Sequence, residues 1–229
     1  MDTINLRNNL SRSLGVAFLL QAFTSLISGA LLLNPLVDKA DIGQTMHNLG
    51  NNAILVQASM IGDIITALGI IFLGTILYTV VGKQNKPMAL VALGFYIFEA
   101  GLLVVSKIAV FVLLNISQEY TATGDQTLEV MAELALSAKD FVYRLHIIPF
   151  GFGAVIFYYL LYKSNILPKW LSLWGLITVP LVLVGAIWLT FGAAISPVVL
   201  ALAVPYVPFE FFAGIYILIR GHKLQTERN

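Results

Sequence analysis

The chain has no cysteine, and only 11% of its 229 residues are charged. The first absence excludes disulfides, thiolate catalysis and cysteine metal sites. The second excludes more. A soluble domain carries roughly 25% charged residues to cover its wet surface, whereas 59% of this chain is apolar and its mean hydropathy is +0.87. Soluble globular, disordered and coiled-coil classes are therefore out. With a net charge of +1 there is no basic face for nucleic acid either. Long unbroken apolar runs replace the alternating ten-residue segments of a membrane β-barrel. What remains is an all-α, polytopic transmembrane helical bundle, read as one transmembrane domain over residues 1–229.

A crossing takes about 20 apolar residues, because each adds ~1.5 Å against ~30 Å of hydrocarbon. Charge-free runs predict six spans, near 14–33, 53–81, 87–114, 141–162, 170–191 and 197–219. Gly192–Pro197 (GAAISP) supplies a tight turn between the last two. The first span includes Ser28-Gly29-Ala30, a small-x-small sequence like a signal-peptide cleavage site. Its apolar run continues through Leu33, so a retained helix is expected. Between spans three and four, Asn115–Asp140 is long and acidic. Gly124-Asp125 opens an amphipathic helix over about 125–139, with Leu128, Met131, Ala135 and Ala138 on one face and no breaker before span four.

Charge asymmetry sets the expected orientation. Arg7, Arg12, Lys83, Lys86, Lys163, Lys169, Arg220, Lys223 and Arg228 fall at one end of the spans, against only Lys39 and Lys139 in loops at the other. Asp38, Asp41, Glu119, Asp125, Glu129, Glu133 and Asp140 do the reverse. The positive-inside rule then puts both termini in the cytoplasm. Trp170 and Trp174 beside Lys169 fit an interfacial anchor.

The residues needing explanation are the ionisable ones within the spans. Asp63, Glu99 and Glu210 lie inside them, and Lys107, Arg144 and His146 lie inside or in the outer third. Each midplane charge costs roughly 2.5–3.5 kcal/mol to insert, so these groups must be paired, protonated or wet. All six count from mid-membrane outward, which predicts a polar cavity opening away from the cytoplasm. Ser59, Asp63 and Thr66 share one helical stripe; Tyr96, Glu99 and Ser106 share another. Gln21, Thr24, Ser25 and Ser28 give span one a milder stripe. Tyr143, His146 and Phe150 share a face of span four, where Pro149 loosens the helix. Asp140 and Arg144 stand at i, i+4 as an expected salt bridge, and Lys107 has the length to snorkel. Tyr206 lies one turn before Glu210, with Pro205 and Pro208 lifting backbone hydrogen bonds nearby.

Asp63, Glu99, His146 and Glu210 form the candidate ligand or proton site, with Tyr96 and Tyr206 as hydrogen-bonding support and Arg144 and Lys107 at its rim. Only His146 is at membrane depth, which excludes three-histidine zinc and bis-histidine haem sites. No Gly-x-Ser-x-Gly, Walker A, HExxH or GxGxxG pattern occurs, so no cofactor or metal is expected. Beyond the bilayer itself, the expected partner is a small molecule or ion. Three functions fit: a transporter or sensor for a small ligand, ion or proton; an interaction or assembly subunit held together by its polar groups; and a membrane-embedded enzyme acting on a lipid or quinone with His146 as acid/base.

The exit of span four carries a family resemblance. It reads Leu145-His146, Phe150-Gly151, Tyr159-Leu160-Leu161-Tyr162-Lys163-Ser164, Leu167-Pro168-Lys169-Trp170-Leu171 and Gly175. This is similar to the signature region of the domain-of-unknown-function 4386 family of prokaryotic membrane proteins. There a membrane histidine precedes a small-residue patch, a Tyr-Leu-x-Tyr-x-Ser stretch and an apolar-Pro-Arg/Lys turn. Acids matching Asp63 and Glu210 extend the resemblance over most of the chain; Arg144 departs from the small residue often found two before the histidine. The resemblance implies a multi-spanning protein of the bacterial inner membrane and supplies no reaction.

Overall fold

The computed structural model describes residues 3–191, 201 and 204–220. The GAAISP turn and most of 197–203 lie outside the described residues, as do His222, Lys223 and Arg228. The described chain is helical, with no strand. Helix α1 (Thr3–Ser25) continues through a π-helical stretch, Leu26–Leu33, into a short 3-10 turn, Asn34–Leu36. Then come α2 (Ile42–Asn51), α3 (Ala53–Val81), α4 (Lys86–Thr123), α5 (Leu128–Leu145), α6 (Ile147–Ser164), α7 (Lys169–Phe191) and α8 (Tyr206–Arg220).

Five helical segments are long and apolar enough to cross a membrane: Arg12–Leu36, α3, α4, α5 continuing into α6, and α7. Tyr206–Ile219 is a shorter apolar helix. The outward faces keep large apolar side chains exposed, among them Leu68, Ile108, Phe191 and Ile219, as a lipid-facing surface requires.

Local chemistry explains where the helices begin and end. Asn85 caps α4 by accepting from Met88 N–H at 3.1 Å, with Pro87 in the first turn, where a missing N–H costs nothing. Gly124 closes α4 with φ +70°, a left-handed conformation that glycine adopts freely. Pro149 divides α5 from α6: its ring clashes with the carbonyl four residues back, on Leu145, where α5 stops. His146 is therefore the joint between two helices, whereas the sequence predicted it within one continuous span. Pro205 and Pro208 likewise sit at the start of α8; the part of the predicted sixth span that precedes them lies almost wholly outside the described residues.

The helices build two cores. The larger joins α1, α3, α4, α6, α7 and α8 around Phe18, Leu77, Tyr96, Phe157, Tyr158 and Phe209. α1 lies against α3 and α8, α3 against α4, and α6 between α4 and α7. The smaller core lies beyond it. Helix α4 has 38 residues and so spans roughly 57 Å, nearly twice a bilayer's hydrocarbon. On its distal turns, α2 and α5 pack Met46, Leu49, Ala132 and Ala135 against Val110, Leu113, Leu114 and Tyr120. The predicted connecting segment after Asn115 thus starts as nine more residues of helix, and the Asn34–Asn52 segment contains α2. On α5 the buried residues are Ala132, Ala135 and Lys139, while Met131 and Ala138 face outward. Small residues let α5 approach α4 closely, which leaves its larger side chains outside.

Candidate functional site

Counted from the end where α1 starts and α8 finishes, Glu210 lies roughly 15 Å deep, Glu99 roughly 20 Å, Asp63 roughly 27 Å and Lys107 roughly 32 Å. The structure gathers these groups into two separate layers. The distal one surrounds a cavity of about 540 Å³ at the junction of the two cores. Its charged lining is Asp63, Lys107, Lys139, Asp140, Arg144 and Lys39, completed by Gly29, Leu33, Asn34, Val37, Tyr143 and Leu189.

Asp63 is buried and accepts from two donors, Lys107 Nζ on α4 and Ser28 Oγ in the π-helical stretch. The wider winding, with Asn34 N–H bonded to Gly29 C=O five residues back, belongs to the segment that carries Ser28 to this acid. Gly62 permits the approach, since a Cβ there would lie 2.9 Å from Ser28 Cβ. Lys107 Nζ also stands 5.8 Å from the centroid of the Tyr143 ring. Paired in this way, Lys107 does not snorkel. On α5, Lys139 Nζ takes the carboxylate of Asp140 at 2.8 Å. Arg144 forms no ion pair with Asp140, contrary to the i, i+4 expectation. Its Nε donates instead to the Asp140 backbone carbonyl at 3.2 Å, in the last turns before the Pro149 break.

The deeper layer is enclosed. Glu210 Oε1 accepts from Gln21 Nε2 at 2.8 Å and from Tyr206 Oη at 2.7 Å, and Tyr206 Oη lies 3.2 Å from Tyr158 Oη. Three helices, α1, α6 and α8, thereby meet on one carboxyl group or its immediate partner. Glu99 and Tyr96 are buried within electrostatic reach of Glu210, and Glu99 Oε2 has no hydrogen-bond partner among the described residues. None of Glu99, Tyr96, Tyr206 and Glu210 lines the distal cavity.

His146 stands between the layers. Its ring packs edge-on against Tyr143 at 4.8 Å, and its Nδ1 is buried without a partner among the described residues. One turn on, Phe150 packs against Tyr206 at 5.3 Å. Two aromatic pairs thus stand between the cavity and the deeper layer: Tyr143–His146 at the cavity wall and Phe150–Tyr206 beside Glu210.

Of the eight sequence candidates, Asp63, Lys107 and Arg144 line the cavity. Tyr96, Glu99, Tyr206 and Glu210 occupy the deeper layer, and His146 joins neither hydrogen-bond network. Sequence reasoning missed Tyr158. Its signal was the run Gly151, Ala154, Tyr158 at i, i+3, i+7, a small-residue stripe ending in a polar aromatic. Ser28 and Gln21 were visible only as part of a mild polar stripe. Among the described residues no three His, Asp or Glu side chains converge as a metal site requires.

The sequence profile described as Domain of unknown function (DUF4386) matches residues 13–221, from the first apolar helix to the end of α8. The chain belongs to this family. It is thus an all-α, multi-pass membrane protein of the DUF4386 family. No curated protein and no solved structure matches the chain. The DUF4386 description assigns no activity, so the chemistry of the two layers has to be argued from their geometry.

Proposed function

We propose that this DUF4386 protein is a transporter or sensor that binds or moves a small ligand, ion or proton through the polar site in the distal half of the bundle. The supporting observation is a cavity of about 540 Å³ that reaches the buried Asp63–Lys107 pair. That volume falls within the range of small-molecule sites, roughly 300–1,000 Å³. Ionisable groups at membrane depth most often mark ligand or ion pathways. The deeper layer adds two acids, Glu99 and Glu210, with hydroxyl groups placed to relay a proton. Catalysis by His146 has less support, because its ring does not line the cavity.

In this reading the chain crosses a bacterial inner membrane six times, and the positive-inside bias favours a cytoplasmic α1 start and α8 end. The cavity then opens to the extracytoplasmic side. The test is a thermal-stability screen of the purified protein in an uncharged detergent, against anionic, cationic and neutral small solutes between pH 5.5 and 8. A saturable shift that is lost in Asp63→Asn supports the reading. A wild-type protein indifferent to every solute and to pH sinks it.

A further inference from the structure

We propose that the distal cavity takes a small organic anion, a carboxylate or phosphate group carrying an apolar portion; this rests on the ligand reading above. The charges around the cavity do not balance. Lys39, Lys107, Lys139 and Arg144 face it, against only Asp63 and Asp140. The ion pairs Lys107–Asp63 and Lys139–Asp140 use both acids. Arg144 has only its Nε engaged, on a backbone carbonyl, and Arg144 and Lys39 form no ion pair among the described residues. Two positive charges are left over at the wall of one cavity.

That surplus selects the ligand's sign. Arg144 is partly buried at a wall shared with the apolar surfaces of Leu33, Val37 and Leu189, so an incoming anion gains more there than in bulk water, while the exposed Lys39 adds a second positive charge. A cationic ligand would meet four positive groups and two carboxylates that are already occupied. The terminal nitrogens of Arg144 form the planar fork that binds carboxylate or phosphate through two hydrogen bonds. The apolar wall and the size of the cavity leave room for a hydrocarbon portion behind that head. The same chemistry is offered by a soluble organic anion and by an anionic lipid headgroup.

The experiment uses the full chain in uncharged detergent, titrated with hexyl phosphate, hexanoate, hexyltrimethylammonium and hexanol. Melting temperature and a direct binding isotherm are both read. Hexyl phosphate or hexanoate should raise the melting temperature saturably, while the cation and the alcohol should not. Arg144→Gln should weaken the affinity about tenfold or more, with Arg144→Lys intermediate. Lys39→Gln, on an exposed loop, weakens it without endangering the fold. Lys86→Gln, at the opposite end of the bundle, leaves it unchanged.

A second arm compares nanodiscs of phosphatidylcholine with and without phosphatidylglycerol. Stabilisation by phosphatidylglycerol that disappears in Arg144→Gln and Lys39→Gln supports the site with a headgroup as its source. Stabilisation that survives both substitutions overturns it. Protection by hexyltrimethylammonium or hexanol equal to that by the anions overturns the anion inference while leaving a ligand site. Indifference to all four probes and to the lipid overturns the anion inference, and the ligand reading falls with it only where the wider solute and pH screen is also flat.

Discussion

Asp63 and Lys107 form an ion pair between α3 and α4 whose side chains are only 5% and 6% exposed. It stands where the bundle core meets the distal core, so it joins the two as well as lining the cavity. Ser28 satisfies the acid's other oxygen. Removing one partner of a buried pair leaves a charge that nothing compensates. We expect Lys107→Met to destabilise the protein by about 3 kcal/mol, measured by reversible SDS unfolding. The double variant Asp63→Leu/Lys107→Met should recover much of that loss. A double variant worse than Lys107→Met would show that the pair itself contributes net stability.

The bonds on Glu210 predict a coupled pair. Tyr206→Phe and Gln21→Leu each remove a donor from the same oxygen and should each cost about 1–2 kcal/mol. Because the donors share an acceptor, the double variant should depart from additivity by at least about 0.5 kcal/mol. Tyr158→Phe, one hydroxyl further away, should cost less than Tyr206→Phe. Strict additivity in the cycle would contradict the shared-acceptor geometry.

Pro149→Ala restores an N–H that can bond the Leu145 carbonyl and removes the ring that clashes with it. The joint at His146 should then close into continuous helix. Hydrogen exchange would report this as slower exchange of the amides from His146 to Phe150, whose present bond, Phe150 N–H to His146 C=O, is a long 3.4 Å. Unchanged exchange would mean that tertiary packing, and not the proline, sets the joint.

The α4–α5 turn carries a pH-dependent element outside the spans. Thr127 donates its hydroxyl to Asp125 Oδ1 at 2.7 Å and its N–H at 2.9 Å, and these bonds hold the Asp125 carboxyl below its ordinary value of 3.8. A lowered folded value means that the contribution is complete above the unfolded pKa and fades as pH falls through the folded one. The turn should therefore loosen only in acid, below about pH 4. Thr127→Ala should move the Asp125 midpoint up toward its ordinary value in a carboxyl-carbon NMR titration. A midpoint that stays put would show the hydroxyl to be irrelevant.

The five long spans were legible because hydrocarbon thickness imposes a minimum length on every crossing, and long apolar runs reveal it. The distal turns of α4 were not, since beyond Leu114 the helix is held by α2 and α5 and not by hydropathy. The π-helical winding around Ser28 was equally hidden, as it depends on how α1 meets α3. At the site, burial cost alone singled out Asp63, Lys107, Glu99 and Glu210. Which of them meet depends on helix register, so the sequence suggested one cavity where the structure has two layers. Arg144 shows the limit of local spacing: four residues from Asp140, it bonds that residue's backbone while Lys139 takes the carboxylate.

The continuity of α4 makes it a stiff lever. Thr123 stands 24 residues, or roughly 36 Å, beyond Glu99 on the same unbroken helix. A tilt of about 5° pivoting at Glu99 would carry Thr123 sideways by roughly 3 Å and Lys107 by only about 1 Å. Any rearrangement at the deep carboxyl groups is therefore magnified at the distal tip, where α2 and α5 ride on the helix. Movement of that tip about the same pivot is geared down roughly threefold at Lys107.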